Sequence, residues 1–427
     1  MNPLAVALNE TLPPRLLRML SARGRSIYFP SKGILGQSAE AKGKGINATI
    51  GIALEEDASP MHLPGLAALG ELEATDVFTY APSYGKPALR TCWQGMVRAK
   101  NPSLGDAPIS LPVVTNALTH GLSVAGSMFL DPGDRLITPD LYWGNYNLIF
   151  SHAYGATIDA FPTFDGEGFN VAGLRERVMA GPPGRRVVVL NFPNNPTGYS
   201  PTAAEAKAIV AALVDAAEAG HDVIALIDDA YFGLVFEDGV FTESLFALLA
   251  HAHPGVLAVK IDGATKEDYV WGFRVGFLTF AGGGADAKAL DALTHKAAGV
   301  VRGQISNASH PGQSLLLRAY QHPDYSKWKA EKYGVMRHRY DVVRAELRAH
   351  PEYAERFVPL PFNSGYFMCV RPLHADPETV RRTLLERYST GVIATAGLLR
   401  IAFSSAPVKA LPTLFANVFA ACGDVAG

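Results

Sequence analysis

The chain has 427 residues, of which 18% are charged and 48% are apolar, and its formal net charge is −2. This composition is typical of a folded protein with a large buried core and excludes an intrinsically disordered chain. The small net charge, without a long run of one sign, gives no electrostatic footprint for nucleic acid or for an anionic membrane. Length alone allows two or three domains, or one large core with a smaller unit beside it.

The cysteine content and the hydropathy of the chain indicate its cellular compartment. The three cysteines, Cys92, Cys369 and Cys422, are too few and too odd in number for a disulfide framework. They favour core packing in a reducing compartment. The N-terminal stretch MNPLAVALNETLPPRLLRML is interrupted by polar residues and prolines and lacks the apolar region of a secretory signal. We find no apolar run of about 18 residues and therefore expect a cytoplasmic protein without a transmembrane helix.

The predicted elements begin with an irregular arm, in which short helical pieces alternate with glycine-rich turns. Short apolar runs then alternate with helical patterns through the middle of the chain, and such runs are typical of fully buried strands. This alternation predicts an α/β fold with a mostly parallel sheet that is covered by helices on both faces. The predicted strands lie at 111–115, 134–140, 185–192, 222–228, 257–262 and 273–280.

Helical patterns and a change near residue 310 indicate the domain organisation. TAAEAKAIVAALVDAAEAG (202–220) has apolar residues at helical spacing and ends on glycine, which is a helix stop signal. A long charged helix is predicted at 325–350, followed by short strands in GYFMCV and LLRIAFS. We predict an N-terminal arm at 1–60 that joins the small domain, a large domain at 61–320 and a small α+β domain at 321–427.

Polar residues follow two predicted strands at their carboxyl ends, where ligands of such sheets bind. Strand 185–192 ends in NFPNNPTG, a turn fixed by prolines and a glycine that leaves Asn195 free to face a ligand. Taken alone, this motif favours a structural turn that caps the next helix. Strand 222–228 ends in IDDAYFG, where Asp228 and Tyr231 could meet one planar ligand, although Asp228 also suits a helix N-cap.

The stretch KIDGATKEDYVWGFRVGF (260–277) places Lys266 behind small residues at the end of an apolar strand, with Arg274 eight residues later. A lysine buried in a pocket has a lowered pKa and can form a Schiff base with a carbonyl compound. An arginine offers a rigid donor fork that suits a phosphate. For this spacing alone, a surface lysine and a strand arginine in a salt bridge is the alternative.

Taken together and in this order, NNPTG, DDAY and the lysine–arginine pair resemble the class I aminotransferases of the aspartate aminotransferase family, which are fold type I pyridoxal-phosphate enzymes. The resemblance extends from about residue 45 to 403. It implies a large domain with a mostly parallel seven-stranded sheet between helices and a smaller α+β domain. It also implies pyridoxal 5′-phosphate as cofactor and a homodimer with shared active sites.

The resemblance implies a role for each matched residue. Lys266 would be the Schiff-base lysine that also moves a proton, and Asp228 would be the partner of the pyridine nitrogen. Asn195 and Tyr231 would hydrogen-bond the phenolic oxygen of the ring, and Arg274 would bind the phosphate. The expected catalytic residues are therefore Lys266, Asp228 and Tyr231.

Further segments match the cofactor site of the family. Trp143 in PDLYWGNYNLIF would stack on the cofactor ring, with ordinary core packing as its alternative. Leu118 and Thr119 in VVTNALTHG match phosphate-binding positions at a helix N-terminus. Tyr80 in YAPSYGKPALR would reach the phosphate of the neighbouring subunit, which requires a dimer. Ser306 is a further expected cofactor contact.

Substrate contacts also follow from the resemblance. INATIGIALEED resembles the mobile segment that covers the substrate, with Gly51 at its glycine. Arg400 in LLRIAFSS would bind the substrate α-carboxylate bidentately, beside Asn195 and Trp143. Arg302 in VVRGQISNASHPG matches the arginine with which the neighbouring subunit grips a dicarboxylic side chain. We therefore expect substrates of the aspartate or glutamate type, with aromatic amino acids as the alternative.

Three positions depart from the family pattern. Gly263 stands where a serine usually touches the phosphate, and Leu118 stands where a small polar residue or glycine is usual. These two changes predict phosphate hydrogen bonds that are missing or supplied by the backbone. Tyr146 corresponds to the histidine that the aspartate-specific branch has behind the aspartate, so the support of Asp228 must differ here.

The expected function is transfer of the amino group of an L-amino acid to a 2-oxo acid such as 2-oxoglutarate. A lyase or decarboxylase with the same cofactor is the first alternative, although Arg400 favours a reaction that keeps the α-carboxylate. A non-catalytic pyridoxal-phosphate-binding regulatory module is the second, but such a regulator needs a DNA-binding segment of about 70 residues before the fold. We expect no metal, because the 12 histidines show no H-x-x-x-H pattern beside an acid.

Overall fold

The computed structural model describes residues 1–28, 33–66 and 70–425. The parts of the predicted arm and domains at 29–32, 67–69 and 426–427 lie outside the described residues. The strands are β1 Ile46–Asn47, β2 Val113–Asn116, β3 Arg135–Pro139, β4 Thr157–Phe161, β5 Phe164–Asp165, β6 Gly168–Phe169, β7 Arg185–Asn191, β8 Asp222–Asp228, β9 Val256–Asp262, β10 Val275–Gly282, β11 Phe357–Pro359, β12 Phe367–Pro372, β13 Thr390–Gly391, β14 Ile393–Thr395 and β15 Leu398–Ala402.

Helices surround these strands, together with a π-helical turn at Asn147–His152 and several short 3₁₀ turns. The helices are α1 Pro3–Glu10, α2 Pro14–Met19, α3 Ala22–Ser26, α4 Ile34–Glu40, α5 Ala74–Val77, α6 Pro87–Lys100, α7 Ala117–Phe129, α8 Val171–Met179, α9 Ala203–Glu218, α10 Leu245–Leu249, α11 Ala264–Glu267, α12 Ala287–Ile305, α13 His310–Gln321, α14 Tyr325–Ala349, α15 Pro377–Arg387 and α16 Leu411–Val425.

The central sheet of the described chain has seven strands in the order β2-β10-β9-β8-β7-β3-β4. Only β10 runs against its neighbours, and the pairs from β9 to β4 are parallel. Its inner strands are apolar and buried on both faces, which is why they read as continuous apolar runs in the sequence. The prediction of an α/β fold with a mostly parallel seven-stranded sheet is confirmed.

Each of the six predicted strands is present, with ends that differ from the prediction by at most two residues. The last of them differs at both ends, and β10 begins at Val275 and not at residue 273. Arg274 has a φ of +55°, which is left-handed and incompatible with a strand. The sequence did not reveal β4, a short edge strand that is mostly half-buried. The predicted helix at 202–220 is α9, which Thr202 and Glu205 begin with a capping box.

A second sheet lies in the C-terminal part of the chain, with the antiparallel order β11-β12-β15-β14. The N-terminal arm joins this region, because β1 pairs with β13 and the Gln37 amide hydrogen-bonds both backbone groups of Ala394. The long helix α14 leads into this region from the large sheet. The boundaries predicted at residues 60 and 320 stay predictions.

One described segment, Val408–Val425, meets the length and composition expected of a membrane-spanning helix, although the sequence reading expected none. It contains α16, which has Leu411, Leu414, Phe415 and Val418 buried at helical spacing. A helix with one buried apolar face packs in this way against the core of a folded domain.

Candidate active site

Three neighbouring parallel strands end at the same edge of the central sheet. Asn191 and Asp228 are register partners at the ends of β7 and β8, and Lys266 follows the end of β9 in the short helix α11. A cavity of about 430 Å³ opens at this edge. It is lined by Ile34, Gly51, Ile52, Ala117, Leu118, Thr119, Trp143, Asn191, Asn195, Asp228, Ala230, Tyr231, Thr265, Lys266, Trp271, Arg274, Phe367 and Arg400.

Most of the residues predicted to form the site lie around this one cavity, although they come from distant parts of the chain. Their individual roles toward a cofactor or substrate stay predictions. The residues brought together are Gly51, Leu118, Thr119, Trp143, Asn195, Asp228, Tyr231, Lys266, Arg274 and Arg400. Tyr80, Arg302 and Ser306 do not line it.

The Lys266 amine has a lowered pKa. Burial is the largest cause, the positive charge of Arg274 adds to it and Asp228 opposes it, so that the pKa falls to about 8. The Nζ atom lies 4.8 Å from the centre of the Tyr231 ring. A lysine in this state is partly neutral near physiological pH and can act as a nucleophile or a base.

Asp228 is a carboxylate with 3% of its surface exposed, and burial raises its pKa. Two donors oppose this effect, since the Tyr146 hydroxyl donates to Oδ2 at 2.6 Å and the Ala230 amide donates to Oδ1 at 3.2 Å. Tyr146, which replaces the histidine of the family pattern, therefore hydrogen-bonds the aspartate directly. Since Lys266 is the cation that acts on Asp228, a cationic ring nitrogen would suit this carboxylate.

Arg400 is a buried cation with 2% of its surface exposed, and burial lowers its pKa. Nη1 donates to Asn195 Oδ1 at 3.1 Å and Nη2 to the Thr49 carbonyl at 3.0 Å, while Nε has no partner. The guanidinium lies 4.3 Å from the centre of the Phe367 ring. No carboxylate of the described residues forms an ion pair with it, so the site suits the carboxylate of a ligand.

The cavity wall also has the donors that a phosphate requires. Arg274 lies there half-buried, near the N-terminal turn of α7 with Leu118 and Thr119. Thr265 Oγ1 and Trp271 Nε1 also line the cavity, and both atoms are buried without a hydrogen-bond partner. Unpaired buried donors are costly unless a ligand accepts from them.

Sequence reasoning missed Thr265 and Trp271. A hydroxyl directly before the lysine was the only available signal for Thr265, and no local pattern indicated that Trp271 lines the cavity. With these donors included, the described residues fit pyridoxal phosphate, which combines a dianionic phosphate, a phenolic oxygen and a basic ring nitrogen.

Packing explains the glycine at position 263, which the family pattern fills with serine. A Cβ at Gly263 would lie 2.8 Å from both Gly276 Cα and the Val275 carbonyl oxygen, and 3.2 Å from Leu118 Cδ1. The backbone of β10 and the Leu118 side chain therefore occupy the space of the usual serine. The two departures from the family pattern are therefore linked, because the Leu118 side chain packs where a side chain at position 263 would lie.

A serine at this position is expected to destabilise the protein. Gly263→Ser should cost about 1–3 kcal/mol of unfolding free energy, because the backbone atoms around the new Cβ cannot move away easily. Thermal unfolding of the variant measures this loss. Gly272→Ser is the matched control, because no atom lies within 4 Å of a Cβ built there. Equal melting temperatures for the two variants would contradict this explanation.

The three predicted residues outside the cavity are near one another on the protein surface. Tyr80 has 88% of its surface exposed. Arg302 Nη1 donates to Ser306 Oγ at 2.8 Å, and Ser83 Oγ donates to the Ser306 carbonyl at 2.8 Å. The segments around residues 80 and 306 therefore adjoin, and the residues that the resemblance assigns to a partner's site share one face.

A second cavity of about 510 Å³ adjoins the first and shares Ile34, Trp143 and Asn195 with it. Three aromatic side chains, those of Tyr28, Tyr142 and Trp143, line it, and Asp140 is the only charged residue among the described residues in its wall. The remaining lining residues are Gly33, Gln37, Gly144, Asn145, Asn147, Leu148, Pro196, Ala394, Thr395 and Ala396.

Curated relatives resemble part of the chain. A probable aspartate/prephenate aminotransferase of Thermus aquaticus is 30% identical over 270 residues, which cover 61% of this chain and 64% of that protein. The aspartate/prephenate aminotransferase of Thermus thermophilus is 31% identical over 202 residues, which cover 46% of this chain and 47% of that protein. The chain thus spans between about half and two thirds of the length of these relatives.

Solved structures share the fold over almost the whole chain. An aminotransferase from Anaerococcus prevotii superposes with a TM-score of 0.83 at 22% identity, covering 94% of this chain and 98% of that one. The sequence model of the family described as aminotransferase class I and II matches residues 55–415. The chain therefore belongs to the aminotransferase class I and II family, whose members depend on pyridoxal phosphate.

Proposed function

We propose that the protein is a pyridoxal-phosphate-dependent aminotransferase that moves the amino group of an L-amino acid to a 2-oxo acid. The charge of the cavity carries this proposal. Among its described lining residues, the cations Lys266, Arg274 and Arg400 face a single carboxylate, that of Asp228. Such an excess of positive charge favours anionic ligands, and a phosphate together with a substrate carboxylate satisfies it.

The proposed roles follow from the position of each side chain. When bound, pyridoxal phosphate supplies an electron sink for the substrate α-carbon. Asp228 would keep a proton on the ring nitrogen, and Tyr231 and Asn195 would hydrogen-bond the phenolic oxygen. Lys266, with its pKa of about 8, would act as the base that accepts the α-proton of the substrate.

Arg400 favours amino transfer over the decarboxylase alternative. A guanidinium that binds the α-carboxylate through two parallel hydrogen bonds fixes the amino acid in one orientation. A decarboxylase would gain little from a buried arginine that stabilises the group it must remove. The side chain already donates to Asn195 and Thr49, so it is held in place before a substrate arrives.

We propose a homodimer in which each subunit completes the site of its partner, with Tyr80, Arg302 and Ser306 as the contributed residues. The exposed face supports this proposal, because Phe78 and Tyr80 have 84% and 88% of their surface exposed. Large aromatic side chains in such positions are characteristic of subunit interfaces. The cytoplasmic location stays a prediction.

The choice of substrate rests on two features. Arg302, contributed by the partner subunit, would bind the side-chain carboxylate of aspartate or glutamate. The second cavity favours a bulkier neutral or aromatic side chain, because the rings of Tyr28, Tyr142 and Trp143 line it and the described chain supplies no cation to it. We propose dicarboxylic amino acids as the main substrates and aromatic amino acids as the second candidate.

Visible spectra of the protein with pyridoxal phosphate test both candidates. L-aspartate and L-glutamate are expected to convert the cofactor band fastest, and L-tyrosine and L-alanine serve as comparisons. Arg302→Ala should lower kcat/KM for aspartate and glutamate by about 30-fold or more, because truncating one partner of a buried charge pair costs about 2 kcal/mol or more. Its effect on tyrosine should be small.

A matched control and two outcomes complete this experiment. Arg337→Ala removes an exposed arginine that pairs with Asp341 on a helix surface, and should leave all rates unchanged. Faster conversion with tyrosine, unaffected by Arg302→Ala, would favour the aromatic candidate. Absence of conversion with every amino acid, despite a bound cofactor, would overturn the aminotransferase proposal.

A further inference from the structure

Lys266 lies in a backbone segment whose conformation is unstable in isolation. Helix α11 is a single turn, Ala264–Glu267, and an isolated turn of this length is unstable in water. The following loop contains left-handed residues at Tyr269, with a φ of +57°, and at Arg274, with a φ of +55°. The orientation of the Lys266 amine must therefore be fixed by contacts of α11 with the rest of the protein.

Glu267, the residue after the lysine, makes the first of these contacts. Its side chain is 3% exposed, and the Lys100 amine, at the end of α6, donates to Oε1 at 2.8 Å. The Lys329 amine of α14 donates to the same oxygen. Burial alone would raise the pKa of Glu267, but the two lysines outweigh it and lower the pKa to about 2. The carboxylate is therefore charged and held from two sides.

Asp268 makes the second contact. The Tyr325 hydroxyl donates to Oδ1 at 2.6 Å and the Tyr320 hydroxyl donates to Oδ2 at 2.8 Å. The Lys329 amine lies 3.4 Å from Oδ1. Two consecutive acids after Lys266 are thus bound by three side chains from α13 and α14, in addition to Lys100.

The same helix α14 also reaches the segment of Arg400. The fully buried Arg339 donates to the Ser404 carbonyl and lies 2.9 Å from Glu56, and Ser404 follows the strand that carries Arg400. Lys329 and Arg339 are ten residues apart on α14, which at about 1.5 Å per residue is roughly 15 Å of continuous helix. One rigid element therefore contacts both the lysine segment and the segment of the carboxylate-binding arginine.

We propose that Glu267 and Asp268 are positioning residues, through which α14 fixes the Lys266 amine relative to Arg400. The importance of the position of Lys266 relative to Arg400 rests on the proposed function. The claim that the contacts of Glu267 and Asp268 hold the turn of Lys266, which we call the clamp, does not. Glu267 and Asp268 are not among the residues that line the cavity. They act by holding the turn that carries the half-buried lysine, so that its amine stays over the Tyr231 ring.

The test measures the lysine directly. The full chain without cofactor is treated with cyanate, which carbamoylates neutral amines, and the labelling of Lys266 is followed against pH by peptide mass spectrometry. In Glu267→Gln, the midpoint of labelling is expected to move upward by about half a pH unit or more, because a released amine loses the burial that lowers its pKa. Tyr325→Phe, a milder change, should shift it in the same direction by less.

Glu237→Gln is the matched control. Glu237 also pairs with α14, through Tyr340 and through Arg344 at 3.3 Å, but it lies away from α11. It should lower the melting temperature without moving the midpoint. If Glu267→Gln and Tyr325→Phe leave the midpoint within 0.1 pH unit of the unaltered protein, about the precision of such a titration, the proposal is wrong.

A spectroscopic readout accompanies the labelling. The midpoint pH of the absorbance change of bound pyridoxal phosphate should also move in Glu267→Gln and not in Glu237→Gln. The same midpoint in both variants and in the unaltered protein would contradict the clamp. The cyanate experiment needs neither cofactor nor substrate. A failure of the aminotransferase proposal would therefore leave the labelling result intact, and the two failures can be told apart.

Discussion

Replacing Lys266 by alanine is expected to lower the rate of amino transfer by at least about 10⁴-fold, which is the upper end of what a positioned acid–base group contributes. Lys266 is the only amine among the described residues that line the cavity, and the other two cations there are arginines. An arginine stays protonated in proteins and cannot accept the substrate α-proton. Single-turnover absorbance measurements, with the amino acid that the unaltered enzyme converts fastest, give the rate.

Lys266→Arg separates the loss of a base from the loss of a charge. This variant keeps a cation beside Asp228 but has no group that titrates near pH 8, so we expect it to be as inactive as Lys266→Ala. Both variants should still bind pyridoxal phosphate without a covalent bond, because the phosphate donors and Asp228 remain. A rate within about tenfold of the unaltered enzyme in either variant would contradict the role of Lys266 as the base.

The sequence predicted much of the cavity because its chemistry lies at strand ends. Asn195, Asp228 and Lys266 each follow an apolar run, and the carboxyl ends of parallel strands meet at one edge of a sheet. The order of the three motifs then suggested the family. Arg400 belongs to a different sheet, and periodicity alone could not predict that it lies at this cavity. Only the resemblance connected it with Asn195, Asp228 and Lys266.

The contacts that the sequence did not reveal depend on tertiary packing. Thr265 and Trp271 face the cavity because of the one-turn helix and the left-handed residues that follow it, and local propensity predicts neither. Gly263 looked like a lost phosphate ligand, whereas close contact with the backbone of β10 explains it. Each of these features requires the position of a neighbouring element that is distant in the chain.

The burial of the two acids after Lys266 could not be predicted from the sequence either. No local pattern in the sequence marks Glu267 and Asp268 as buried, and charged residues are rarely buried. Glu267 is buried by Lys100, which is 167 positions away, and by Lys329, which is 62 positions away. Pairs at such separations leave no local pattern, so their burial becomes visible only when α6 and α14 are packed against α11.

Asp228→Asn is expected to lower kcat/KM by roughly 10²- to 10⁴-fold. The variant removes one partner of a buried charge pair with the ring nitrogen, a change that costs about 3–5 kcal/mol. An amide cannot keep the nitrogen protonated, so the electron sink is weakened while the cavity keeps its shape. Steady-state kinetics, with the cofactor content of each preparation measured by absorbance, check this expectation.

Tyr146→Phe shows whether the charge or the hydrogen bond of Asp228 matters. The phenylalanine variant loses the 2.6 Å hydrogen bond but keeps the carboxylate, so its loss of kcat/KM should be about tenfold, well below that of Asp228→Asn. The two variants should also differ in the pKa of Lys266. Asp228 is the group that raises the pKa of this lysine, so Asp228→Asn should bring the pKa in the cofactor-free protein below about 8. Cyanate labelling would then begin at lower pH in Asp228→Asn and stay nearly unchanged in Tyr146→Phe. Equal activity losses in the two variants would mean that Asp228 acts through its hydrogen bonds and not through its charge.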